Sequence, residues 1–168
     1  MKQIKFLVAS LILAFGAQNA TAQSKMAHVD TAEIMSKLPA MLDVQKQMQT
    51  LGKSYQDTYT TLTSELDAKF KKYDAEAATA GDKVNEERAK EVQEMKKRVA
   101  EYGENAQKDM EKKQAELTNP VVEKVKASIK KVAKAKGVQY VLNAEGLLVA
   151  DGPDLTADVK KDLGITTP

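Results

Sequence analysis

Residues 41–82 read MLDVQKQMQTLGKSYQDTYTTLTSELDAKFKKYDAEAATAGD, and their apolar spacing decides the fold. Met41, Val44, Met48, Leu51, Tyr55, Tyr59, Leu62, Leu66, Phe70, Tyr73 and Ala77 advance by steps of three and four. That alternation marks one face of a helix. Leu51, Leu62 and Tyr73 recur at an eleven-residue interval. Such a period averages about 3.67 residues per turn, so the stripe runs straight or coils slightly right-handed. No proline interrupts the stretch, and Ala, Glu, Lys, Gln, Leu and Met dominate it. These are the strong helix formers.

Beyond Gly81-Asp82 the pattern resumes through Val84, Val92, Met95, Val99, Tyr102, Ala106, Met110, Leu117 and Val121. Arg88 and Lys113 fill gaps on this face, where their alkyl stems can lie along it. Two long helices joined at a Gly-Asp break form an antiparallel hairpin. At 1.5 Å per residue each arm is on the order of 60 Å long, so the hairpin projects from the rest of the molecule. Gly52 and Gly103 stand alone inside the pattern, each costing about 1 kcal/mol relative to Ala.

The flanks read differently. Met26-Ala27-His28-Val29 is a short strand, and Asp30-Thr31-Ala32-Glu33 fits a capping box that opens a short helix through Leu38. Pro39 suits the first turn of the long helix. Asn119-Pro120 predicts a kink or restart. Val121, Val125, Ile129 and Val132 then carry a further helical face, ending at Lys136-Gly137. Val138–Leu142 and Leu147–Ala150 have strand composition, and Asn143-Ala144-Glu145-Gly146 is expected to join them as a hairpin. A short terminal helix, capped by Thr156, spans Leu155 to Leu163.

The first residues are an address. Lys2 and Lys5 precede the apolar run Phe6–Phe15, and Ala20-Thr21-Ala22 offers small residues at a cleavage site. This is the layout of a secretory signal peptide over residues 1–22. Its apolar run is shorter than the roughly 20 residues a bilayer span needs. The expected organisation is therefore a signal peptide at 1–22, a helical arm at 39–119 with its tip near 80–83, and a body built from 23–38 and 120–168.

Composition excludes several function classes. The chain has no cysteine, which removes thiol catalysis, thiolate metal sites and disulfide support. Its 26 Lys+Arg against 24 Asp+Glu become 24 against 24 once Lys2 and Lys5 are cleaved away. A neutral exported chain argues against nucleic-acid binding, which relies on excess cationic charge. His28 is a lone histidine inside a strand and reads as structural. Acidic pairs such as Glu86-Glu87 or Asp109-Glu111 lie on exposed arms, where nothing raises a carboxyl pKa. No Gly-rich phosphate loop, Ser-His-Asp set or ligand cluster is present. No enzyme, metal or cofactor is expected.

A body so small, with open strand edges, needs more core than one chain supplies. Symmetric assembly, with strands from several chains closing one barrel, answers both needs. The candidate assembly core is Ala27, Val29, Val141, Leu142, Leu147 and Val149. At the arm tip Lys69, Phe70, Lys71, Lys72 and Tyr73 form a candidate contact patch, although their spacing fits hairpin core and a solvated lysine face better. Tyr55, Tyr59 and Tyr102 fall on the apolar stripes as seam residues. Lys124, Lys126, Lys130, Lys131, Lys134 and Lys136 face only Glu123 within 120–136. They read as a solvated face, with weak contact to anionic lipid as the sharper alternative and no stable membrane insertion.

The order of these elements resembles the Skp/OmpH family over essentially the whole chain after residue 22. The local matches are Met26-Ala27-His28-Val29-Asp30, the Val138-to-Val149 stretch and the closing Asp154-Leu155-Thr156-Ala157-Asp158-Val159. The resemblance implies a mainly α fold in a homotrimer, with three helical arms around a cavity and a small intersubunit β-barrel. It implies an ATP-independent periplasmic holdase whose partners are unfolded outer-membrane β-barrel proteins. Arms in that family are often strongly basic, whereas residues 40–79 here carry five Lys against six acids. That balance weighs against electrostatic client steering and lipopolysaccharide binding. An envelope spacer or coiled-coil adaptor, docking one folded partner, is the alternative that residue patterns alone leave open.

Overall fold

The computed structural model describes residues 26–165, so the signal-peptide assignment lies outside the described residues. The chain order is β1 (Met26–Val29), α1 (Thr31–Lys37), α2 (Pro39–Ala80), α3 (Asp82–Ala135), β2 (Tyr140–Asn143), a 3₁₀ turn (Ala144–Gly146) and α4 (Thr156–Asp162). The Asp30 carboxylate accepts the Glu33 N–H at 2.8 Å and caps α1. Pro39 occupies the first turn of α2, where a missing N–H costs nothing. Gly81 turns the hairpin with φ 81 and ψ 159, a conformation that only glycine adopts readily.

α2 has 42 residues and α3 has 54, so the arm extends roughly 60 Å by the helical rise. Of the kink or restart expected at Asn119-Pro120, the restart does not occur: α3 runs on through Pro120 as one helix. An interior proline costs about 3 kcal/mol. The apolar face after it accounts for the continuity, since Val121, Val125 and Val132 are all buried in the body core, with the partly buried Leu117 packed against that core just before it. The arm and the body therefore share one helix.

The body core gathers Ala27, Val29, Ile34, Leu38, Val44, Val121, Val125, Leu155 and Val159. Ile34, Leu38, Leu155 and Val159 are its largest fully buried side chains. β1 and β2 pair in parallel, with Met26 opposite Tyr140 and Val29 opposite Asn143. The arm supplies the long crossover that a parallel pair requires.

The expected hairpin between Val138–Leu142 and Leu147–Ala150 is corrected here. Only Tyr140–Asn143 forms a strand, and Leu147–Ala150 joins no ladder in the described chain. The reason is the chain's destination. The His28 N–H donates to the Pro153 carbonyl at 2.9 Å, and the Leu155 N–H donates to the His28 carbonyl at 2.9 Å. The segment after Ala150 therefore lies along the other edge of β1, and residues 147–150 carry the chain there instead of folding back on β2.

The capping expectation for α4 also changes. Thr156 is its first residue, and the Asp154 carboxylate accepts the Thr156 N–H at 2.8 Å. The Thr156 hydroxyl accepts the Asp30 N–H at 2.9 Å and ties the two ends of the body together. Among the described residues no helix is long and apolar enough to cross a membrane.

Candidate functional site

The antiparallel register places the tip residues opposite α3. Glu91 of α3 accepts hydrogen bonds from both Lys69 and Tyr73 of α2. The Lys69 ammonium, then the Tyr73 hydroxyl, hold the Glu91 carboxyl below its usual range. The same contact with Glu91 raises Lys69 and Tyr73 above theirs. The Arg88 guanidinium lies 4.7 Å from the Tyr73 ring centroid and pairs with Glu76. Lys69 and Tyr73 are therefore committed to the helix seam.

Phe70, Lys71 and Lys72 face outward instead. Phe70 is 53 % exposed, and a cleft of about 370 Å³ beside it is lined by Tyr73, Ala77, Arg88, Val92 and Lys96. The five candidates thus divide into two seam residues and an outward triplet. Arg88 was legible as a gap-filler on its face. Glu91 was not, because its partners become visible only once the hairpin register is known.

The middle of the arm is thinner. The Tyr55 and Tyr102 rings meet edge-on at 6.1 Å, and the Tyr55 hydroxyl donates to Asp109 at 3.3 Å. Gly103 sits beneath the Tyr59 ring and Gly52 beneath the Met110 methyl. Tyr59 is 39 % exposed, and no residue between Val99 and Val121 is buried. A shallow cleft of about 320 Å³ opens at this level. Leu42, Tyr59, Phe70 and Val84 leave apolar surface at intervals along the arm.

On the body the assembly candidates separate as well. Ala27 and Val29 are buried in the chain's own core, while Val141 and Leu147 are half-buried. Leu142 and Val149 are exposed, and Leu148 is exposed more fully than either. Leu148 escaped the sequence reading because alternation alone does not show which residue of a short apolar run lacks a partner. Lys131 and Lys136 pair with Asp162 and Asp158 of α4, and Lys126 pairs with Glu123. Lys124, Lys130 and Lys134 have no acidic partner among the described residues. Among those residues there is also no group of three His, Asp or Glu side chains placed to hold a metal ion. His28 is mostly buried, with its Nε2 4.0 Å from Asp154, in keeping with a structural role.

The chain thus combines a body with two parallel strands and one long helical hairpin. Residues 25–163 match the model of a family described as outer membrane protein (OmpH-like). This chain belongs to the OmpH-like family. Curated relatives of this OmpH-like chain include a protein from Photorhabdus luminescens, 30 % identical, with 91 % of this chain and 93 % of that one covered. Another, from Yersinia enterocolitica, is 27 % identical with 92 % and 95 % covered. A third, from Pectobacterium atrosepticum, is 25 % identical with 91 % and 93 % covered. All three are named chaperone protein Skp. The OmpH-like fold itself recurs in the crystal structure of a Caulobacter crescentus protein described as OmpH-like. That protein has a TM-score of 0.75 at 19 % identity, with 86 % of each chain covered. The family is one of chaperones and not of enzymes.

Proposed function

We propose that this chain is a periplasmic, ATP-independent holdase that shelters unfolded outer-membrane β-barrel proteins between the helical arms of a homotrimer. The observation that carries this reading is a projecting two-helix arm with apolar side chains left at intervals along its length. Membership of a chaperone family supports it. Signal-peptide cleavage after Ala22 would deliver the chain to its place of action.

An unfolded β-barrel precursor exposes apolar side chains and strand edges that aggregate. Isolated apolar patches such as those at Tyr59 and Phe70 offer many weak contacts in place of one strong site. Each contact exchanges quickly, so the client is covered yet releasable. No nucleotide, cofactor or metal enters such a cycle. The outward triplet Phe70, Lys71 and Lys72 is the part of the tip available for client contact. Lys69 and Tyr73 act there by holding the helices together.

The test is dilution of a urea-unfolded outer-membrane β-barrel protein into buffer with and without the purified chain, followed by turbidity. Suppression without ATP near one trimer per client supports the holdase. No suppression at several-fold excess, for two different clients, overturns it in favour of an adaptor that docks one folded partner.

A further inference from the structure

Two stretches of the arm repeat one pattern. Residues 52–59 read GKSYQDTY on α2, and residues 103–110 read GENAQKDM on α3. Each has Gly first, Gln at the fifth place and a large side chain at the eighth. The two helices bring these stretches together in reverse. The Met110 methyl lies 3.5 Å from where a Cβ on Gly52 would stand, and the Tyr59 ring lies 3.6 Å from the same point on Gly103. This reciprocity gives the helix pair a local two-fold symmetry. The cleft of about 320 Å³ at this level is lined by the first, fifth and eighth residues of both stretches, and by no charged side chain. The glutamines match in their hydrogen bonds as well. Gln56 Nε2 donates to the Thr60 hydroxyl at 3.3 Å, and Gln107 Nε2 donates to the Glu111 carboxylate at 3.2 Å. Each partner lies four residues further along the same helix. Among the described residues neither glutamine Oε1 accepts a hydrogen bond, and both side chains sit on the exposed rim of the cleft.

We propose that this cleft takes one extended segment of an unfolded chain across the arm, and that Gln56 and Gln107 bind its backbone in either chain direction. The proposal rests on the holdase reading above and gives one of its weak contacts a structure. The lining selects the occupant. A side-chain amide oxygen accepts a backbone N–H, and a side-chain amide N–H donates to a backbone carbonyl. An anionic lipid or a nucleic acid finds no cation in the cleft, whereas a peptide backbone, polar and uncharged, needs none. Tyr59 and Met110 offer apolar walls to its side chains. The edge of an extended strand alternates N–H and C=O groups whichever way it runs. A two-fold pair of amides therefore meets equivalent groups in both orientations. A holdase gains from that symmetry, because an unfolded client presents its segments in every direction.

The chain has no tryptophan, so a peptide that carries one reports binding by its own fluorescence. The probe is acetylated, amidated Val-Thr-Leu-Ser-Trp-Thr-Ala-Asn, with the same sequence in reversed order as its counterpart. Each is titrated to about 1 mM against the full chain, expressed for export and purified from the periplasm. The two peptides are expected to bind within about threefold of each other. Gln56→Ala and Gln107→Ala should each weaken both peptides by about threefold, and the double variant by about tenfold, as the loss of one and of two neutral hydrogen bonds requires. Melting followed by circular dichroism should not fall in any variant, since both glutamines lie outside the helix seam. A reversed peptide more than about tenfold weaker than the forward one overturns the proposal. A double variant that binds as tightly as the unmodified chain overturns it too. A double variant that melts lower and loses both peptides counts against it, because the glutamines would then support the seam. An unmodified chain that binds neither peptide yet suppresses aggregation of an unfolded β-barrel protein overturns the site and leaves the holdase reading standing. A chain that does neither overturns both.

Discussion

The Glu33 carboxylate receives two ammonium groups at one oxygen, Lys37 and Lys160, each at 2.8 Å. Lys160 is only 7 % exposed, so Glu33 is what makes its burial tolerable. Hydrogen bonding to Lys160, then to Lys37, lowers the Glu33 pKa from 4.5 to about 2. A carboxyl depressed in the folded state contributes stability above its unfolded pKa and loses it as pH falls through the folded value. Thermal unfolding of the unmodified chain is therefore expected to lose this contribution between about pH 4.5 and pH 2. Glu33→Gln should lower the Tm at pH 7 and flatten the acid limb in that window. Ile34, beside it, is 0 % exposed. Ile34→Ala is expected to cost about 2–5 kcal/mol, read by urea unfolding at fixed chain concentration. The capped helix that carries Ile34 was legible from Asp30-Thr31-Ala32-Glu33. The burial of Lys160 was not, because its partner lies far away in sequence and meets it only when the two ends of the body pack.

At the scale of elements, the arm was legible because its information is local. A 3.6-residue stripe and one Gly-Asp break specify two helices and their turn without any knowledge of distant contacts. Glycine does different work at different places along this element. Gly81 turns the tip at positive φ, so Gly81→Ala is expected to destabilise the hairpin by about 1–3 kcal/mol. Gly52 and Gly103 lie inside regular helix, where an added Cβ would meet Met110 and Tyr59 at 3.5 and 3.6 Å, ordinary contact distances. Gly52→Ala and Gly103→Ala should each stabilise the arm by about 0.5–1 kcal/mol. Amide hydrogen exchange around residues 52–59 and 103–110 should slow in both. The strands were less legible, because β composition does not name a partner. Val138–Leu142 and Leu147–Ala150 have the content of a hairpin, yet the hydrogen bonds of β1 with Pro153 and Leu155 send the second segment elsewhere. Pro120 does not restart the helix for a similar reason: its local cost is real, but the valines after it are buried in the core.

At the scale of the whole molecule, the proposed holdase function makes charge balance and apolar spacing the features that would set how a client is held. With residues 1–22 removed the chain is formally neutral. Client capture is then expected to survive at about 1 M salt, where the screening length is about 3 Å. Aggregation assays across a salt series check this, and a steep loss of protection would assign capture to charge. Phe70→Ser, which removes an exposed ring from the tip without touching the Lys69-Tyr73-Glu91 network, should weaken protection by no more than about threefold if contacts are many and weak. The measurement that bears most directly on the central claim is size-exclusion light scattering of the periplasm-purified chain, alone and after a urea-unfolded outer-membrane β-barrel protein is diluted into it. The mass expected is that of three chains alone, and of three chains plus one client afterwards. A single-chain mass with the client recovered only as aggregate would contradict it.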